Sequence, residues 1–247
     1  MSQALQQAQN KRLFVIYGTS GSGKTASLRN LKDQEGVLFL NCESGKEIPF
    51  KNKFNIEVIS DPWQVIDLIN EVEDDPNIHT IVIDSITFLM DMFESLYVYG
   101  AEDSRQGWSD YAQYFKKLMQ EQISVSKKRY ILLAHATEAD NDESGLREIV
   151  IPVKGALKTK GLEAFFSIVV MTRTMPIKKL PNVGKTDLLT VTDQEEALGF
   201  KYVFQTMKTK DTTNTRIRGP MDLWVPDETF IDNDAGMVLD ILDEHYA

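Results

Sequence analysis

The chain has 247 residues, of which 42% are hydrophobic and 26% charged. That is enough for one large α/β domain with a substantial core, and it leaves little room for a second. The net charge of −10 and the isoelectric point near 4.9 argue against a general nucleic-acid coat. No apolar run approaches the roughly 18 residues of a membrane span, so no membrane association is expected. The single cysteine, Cys42, excludes an internal disulfide and a cysteine-based metal site, and it fits a reducing, cytoplasmic setting.

Residues 1–12 are polar and read as a loose arm or short helix ahead of one domain, 13–247. Residues 13–17, LFVIY, form an apolar run that reads as a buried parallel strand. Gly18, Thr19, Ser20, Gly21, Ser22, Gly23, Lys24 and Thr25 then fit G-x-x-x-x-G-K-[ST] at every fixed position. Residues 25–31 read as the first turns of a helix. Strand, glycine loop and helix N-terminus together make a phosphate-binding loop, with backbone N–H groups through Ala26 turned towards an anion. Lys24 can reach the β- and γ-phosphates of a nucleoside triphosphate, and the Thr25 hydroxyl can ligate Mg²⁺.

Residues 36–41 read as a second buried strand, with Cys42-Glu43-Ser44-Gly45 at its C-terminal end, and 54–59 as a short third. Pro62 opens a helix through Val72, with Val65, Ile66, Leu68, Ile69 and Val72 on its apolar face. Residues 80–83 are a fourth strand, closed by Asp84-Ser85. Helices follow over 86–99 and 108–127, separated by a polar loop at 100–107. A further buried strand spans 130–134. Such alternation predicts a mostly parallel sheet covered by helices on both faces. The pattern then changes. Residues 136–161 are a long polar segment, and loops of that length are usually functional. A strand is expected at 165–172. Residues 188–192 and 201–207 read as an antiparallel pair joined by 193–199. A further strand is placed at 215–218. A closing helix at 235–246 is N-capped by Asp234.

A strand-terminal aspartate beside a phosphate loop holds Mg²⁺, and Asp84 has that position. The alternative is an aspartate that merely caps the helix at 86. Glu43, at the end of the strand that follows the phosphate loop, is the candidate for orienting the attacking water; an exposed loop glutamate is the competing reading.

GTSGSGKT, a strand ending in FLNCESG, then IVIDSI, then a strand ending in LLAH together resemble the RecA core. The likeness is closest to the small phage RecA-like ATPases of single-strand annealing recombination, and it runs over residues 13–226. The resemblance implies a RecA-like fold whose sheet ends in an antiparallel C-terminal hairpin, with ATP and Mg²⁺ as ligands. It gives Glu43 the role of activating the attacking water, and His135 that of a γ-phosphate sensor, where relatives often have glutamine. It implies a homo-oligomer with ATP at subunit interfaces, in which Lys208, Lys210 or Arg216 reaches a neighbour's ATP like an arginine finger. The sequence carries neither the large N-terminal nor the long C-terminal domain of RecA, so a ring or a DNA-induced assembly stays open beside a filament.

In such relatives the segment after the sensor binds DNA. From Leu146 to Lys185 there are eight basic and two acidic residues, a net +6 inside an acidic chain. Arg147, Lys154, Lys158 and Lys160 are the candidate contacts to a phosphate backbone. No aromatic residue lies in 136–161, so backbone contacts rather than base stacking are expected there. The resemblance thus implies an ATPase stimulated by single-stranded DNA, a single-strand-binding protein as a further partner, and the cytoplasm of a bacterial host if the chain is phage-encoded. A translocating helicase-type motor and a nucleotide-gated scaffold that ignores DNA are the alternatives. A small-molecule kinase would need an acceptor pocket and an arginine-bearing lid, and the sequence identifies neither.

Overall fold

A computed structural model describes residues 10–141 and 145–247 of the chain. Residues 1–9, most of the expected N-terminal arm, lie outside the described residues. Among the described residues the main sheet has eight strands: β1 (Leu13–Gly18), β2 (Val37–Asn41), β3 (Asn55–Val58), β4 (Thr80–Asp84), β5 (Arg129–His135), β8 (Val169–Pro176), β9 (Phe200–Gln205) and β10 (Phe230–Asp232). Their order is β10-β9-β8-β1-β5-β4-β2-β3. Strands β8 through β3 run parallel. Only β9 and β10 add antiparallel pairs at one end. This is the expected mostly parallel sheet with antiparallel C-terminal strands.

The parallel strands are continuous apolar runs because both faces are covered. β1, β2 and β4 are buried at every residue. Alternate side chains enter opposite layers. Val15, Tyr17, Leu38, Leu40, Ile81 and Ile83 pack with α1 (Pro62–Val72), α2 (Ile86–Phe93) and α3 (Ser104–Lys116). Phe14, Ile16, Val37, Phe39 and Val82 pack with Leu28 and with a C-terminal helix that carries Val238, Leu239 and Leu242.

Helix α1 has the expected bounds, opened by Pro62 and a capping box between Asp61 and Gln64. The expected helix at 86–99 is α-helical to Phe93 and continues as a π turn, Glu94–Val98. That expected at 108–127 starts earlier, at Ser104, because Asp103 accepts the Arg105 N–H as its N-cap.

Four expectations are corrected. The helix after the phosphate loop is a single 3-10 stretch, Thr25–Asn30. Leu28 and Leu31, three residues apart, both reach the core in that tighter winding. The polar segment 136–161 is not a loop. It holds an antiparallel hairpin, β6 (Thr137–Asn141) with β7 (Leu146–Val150), and a short helix α4 (Leu157–Lys160). Residues 188–192 form no strand. Thr192 and Glu195 make a reciprocal capping box that starts α5 (Asp193–Leu198), and Gly199 ends it in the left-handed region. β9 therefore pairs with β8 instead. Residues 215–218 make only isolated bridges, Thr215 to Ile149 and Arg218 to Val169. The closing helix, α6 (Ala235–His245), is capped by Asp234 as expected.

Candidate active site

The phosphate loop leaves β1 at Gly18. A Cβ there would lie 2.6–2.7 Å from Thr172 and the Ser22 hydroxyl, so only glycine fits. Gly23 sits at φ +96, where a side chain is strained. The loop is braced from behind: the Thr172 hydroxyl donates to the Ser22 carbonyl at 2.6 Å, and Asn233 Nδ2 donates to Thr172 Oγ1 at 3.0 Å. Lys24 is buried, with Nζ donating to the Gly18 and Thr19 carbonyls at 3.0 Å each. Burial pulls its amine down to about 8, against the opposing pull of Asp84 and Glu43. Ser20, Gly21, Gly23, Lys24, Thr25 and Ala26 face a cavity of about 330 Å³. Gly18, Thr19 and Ser22 shape the loop from behind.

Strand β4 delivers Asp84 to the same cavity, in register with Asn41 of β2. Ser85, not Asp84, is the N-cap of α2. The Thr25 hydroxyl donates to Asp84 Oδ2 at 2.8 Å. Asp84 Oδ1 is buried without a hydrogen-bond partner, and burial pushes the carboxyl up to about 6. An orphaned carboxylate oxygen beside a hydroxyl fits a divalent cation. Among the described residues no group of three or more His, Cys, Asp or Glu could hold a metal. Two protein oxygens suit Mg²⁺ nonetheless, since it takes its remaining ligands from water and phosphate. Asp84 binds a proton as pH falls through about 6, and the protonated acid cannot ligate the ion. Mg²⁺-dependent nucleotide binding is therefore expected to weaken below about pH 6, with proton release on metal uptake near that pH. Calorimetry in two buffers of different ionisation enthalpy measures both. Binding that holds unchanged well below pH 6 would remove Asp84 from the metal site.

Glu43 lies two residues beyond β2, on a turn that Asn41 ties down. Asn41 Oδ1 accepts the Glu43 N–H at 3.0 Å, and its Nδ2 donates to the Lys46 carbonyl at 2.9 Å. The Glu43 carboxylate accepts from His135 Nε2 at 2.9 Å and from Lys46 Nζ at 3.0 Å. The hydrogen bond from His135, then that from Lys46, holds it down at about 2, against burial. His135 ends β5, level with Gly18, and its ring packs edge-on against Phe88. The fold thus brings Lys24, Thr25, Glu43, Asp84 and His135 to one cavity at the C-terminal edge of the parallel strands, where open α/β sheets bind ligands.

The other predicted residues lie elsewhere. β9 runs opposite to β1 and carries Lys208 and Lys210, both exposed, away from this loop. Arg216 is bound within its own chain. Its guanidinium meets Glu148 at 3.0 Å and Glu163 at 3.4 Å. Arg147 pairs with Glu138 and Asp140 across the hairpin at 3.4 Å each. Lys154 pairs with buried Glu94 at 2.5 Å. Lys158 is exposed. Lys160 ends α4, and its side chain lies outside the described residues. Sequence reading missed Asn41, Lys46 and Tyr202. Tyr202 lines the cavity from β9, but within FKYVFQ it is indistinguishable from a strand's core residue.

A family model described as an AAA domain matches residues 10–194. The chain belongs to this family. It is a P-loop nucleotide-binding ATPase, and the matched span contains the phosphate loop, Glu43, Asp84, His135 and the hairpin β6–β7. Tyr202, Lys208, Lys210 and Arg216 lie beyond it. No curated protein matches the chain. Among the described residues, no helix of this AAA-family ATPase is long and apolar enough to cross a membrane.

Proposed function

We propose that this ATPase is an ATP-gated single-stranded DNA-binding protein of recombination, resembling the RecA-like annealing ATPases. One observation carries the reading. His135 bonds the candidate water-orienting glutamate, and a single residue, Ala136, separates it from hairpin β6–β7. A γ-phosphate arriving beside Lys24 competes for the Glu43–His135 pair. On this reading a shift of His135 passes through Ala136 into the hairpin, whose repositioning by the γ-phosphate is the gate. Glu43 accepts an O–H of the attacking water; as the water's oxygen bonds the γ-phosphorus and the bond to the leaving nucleoside diphosphate breaks, the proton passes to Glu43 and on to the released phosphate. Lys24 carries the charge that develops on the phosphates. Thr25 and Asp84 would hold Mg²⁺, which would supply positive charge to offset that of the phosphates. In an assembly of copies, exposed Lys208 or Lys210 is free to approach a neighbour's phosphates, whereas Arg216 must first leave Glu148 and Glu163.

The DNA surface on this reading comprises Lys158, Lys160 and the exposed Lys178 and Lys179. The test is single-stranded DNA affinity with and without a non-hydrolysable ATP analogue. The analogue should tighten binding. Indifference to nucleotide sinks the coupling, and no DNA binding sinks the function.

A second reading, a nucleotide-gated scaffold for protein partners, is favoured by the charge of the hairpin. Glu138, Asp140 and Glu148 outnumber Arg147 in its two strands, and Arg147 and Lys154 are already paired within the chain. Charge reversal separates the two. Lys154→Glu would set two carboxylates together at Glu94, so Lys158→Glu with Lys160→Glu is the cleaner variant. DNA binding should weaken and its salt slope fall by about 0.7 per lost phosphate contact, with ATP binding unchanged. An unaltered DNA isotherm favours the scaffold.

A further inference from the structure

The groups placed to handle the γ-phosphate all lie on one side of the phosphate loop. Glu43 follows β2, Asp84 ends β4 and His135 ends β5, and these three strands stand on the same side of β1. A triphosphate held by residues 18–25 with its γ-phosphate towards them must send its nucleoside the other way, over β8 and β9. β9 stands two strands from β1, about 10 Å at the usual strand spacing.

Tyr202 occupies that place. It lines the same cavity as Lys24 and Glu43. A Cβ on Gly23 would come within 3.2 Å of Tyr202 Cδ1 and 3.4 Å of Cγ, so the ring rests on the loop itself. The residue is nevertheless 40% exposed. Its backbone is well held. The neighbouring Lys201 is buried on the opposite face, with Nζ 2.7 Å from Glu195 and 3.2 Å from Asp232. The Phe200 ring packs edge-on at a centroid distance of 5.9 Å. A positioned, partly exposed aromatic ring is what base stacking requires.

We propose that Tyr202 is the nucleoside platform of this site, its ring taking the flat face of the bound nucleotide's base. The proposal rests on the nucleotide-binding reading above and assigns the end of the ligand that reading leaves without a partner. Every base has a π face, so the platform sets affinity without selecting the base.

The test is calorimetric binding of Mg-ATP, Mg-GTP and Mg-tripolyphosphate to wild type, Tyr202→Phe and Tyr202→Leu. Leucine keeps apolar bulk against Gly23 but offers no ring. Tyr202→Leu should weaken ATP and GTP by roughly ten- to a hundredfold and leave tripolyphosphate unchanged, while Tyr202→Phe binds all three like wild type. Equal losses for tripolyphosphate and ATP would overturn the proposal, because the ring would then act by shaping the loop. Unchanged ATP affinity in Tyr202→Leu would overturn it too. A wild-type protein that binds none of the three ligands overturns the nucleotide site itself, and the platform with it.

Discussion

Glu43→Gln should slow ATP turnover by about a hundred- to ten-thousandfold, the usual contribution of a positioned general base, with ATP binding intact. Glutamine is isosteric, and the turn that carries it is held by Asn41 rather than by the carboxylate. His135 Nε2 can still donate to the side-chain carbonyl. Lys46 loses its partner, but its side chain is mostly exposed and the ion pair contributes little. What disappears is the negative charge that accepts the water's O–H. ATP affinity should hold or rise, since a carboxylate no longer faces the γ-phosphate. Single-turnover hydrolysis and equilibrium binding on the same preparation separate the two effects. Normal turnover in Glu43→Gln would end its assignment as the water-orienting group.

Lys24→Ala should lose ATP affinity by two decades or more without loss of fold. The amine now bonds two loop carbonyls, Gly18 and Thr19, and would exchange them for phosphate oxygens. Hydrogen bonds to charged groups are worth about 1.5–3 kcal/mol each, and 1.4 kcal/mol is tenfold in affinity. The stability side has the opposite sign. Burial lowers the Lys24 amine to about 8 in the folded chain from 10.5. Its charge therefore opposes folding below that pH, and the cost fades as pH rises towards the unfolded value. Removing the amine takes that cost away at neutral pH. Thermal unfolding without nucleotide should stay level or rise, while the stabilisation that ATP confers on wild type disappears. A variant that keeps its ATP-dependent shift would show that Lys24 does not contact the phosphates.

These two variants also distinguish a switch from a motor. In a switch, Glu43→Gln should trap the ATP-bound state, so DNA or partner binding persists. Lys24→Ala should leave the chain permanently in its nucleotide-free state. A motor would lose strand movement in both.

Local, contiguous features of this protein were legible in its sequence. The phosphate loop is a steric code of glycines between a strand and a helical turn, and β1, β2, β4 and β5 announce themselves because both faces of a parallel sheet demand apolar residues. The strand-end positions that bring Asp84 and Glu43 to the cavity were legible too. Residues 188–192 read as a strand paired with 201–207, and the local capping box of Thr192 and Glu195 was passed over. Hairpin β6–β7 left no such trace, because neither TEADN nor LREIV carries an alternating apolar period. Arg216 reads as a free basic residue until β7 brings Glu148 to it. Tyr202 reads as core until the strand order places β9 beyond β8 and sets its ring on Gly23. Period and steric constraint act between near neighbours in the chain, and the sequence alone determined what depends on them. Which distant side chains share the cavity depends on the order of strands across the sheet, and only the tertiary structure decided that.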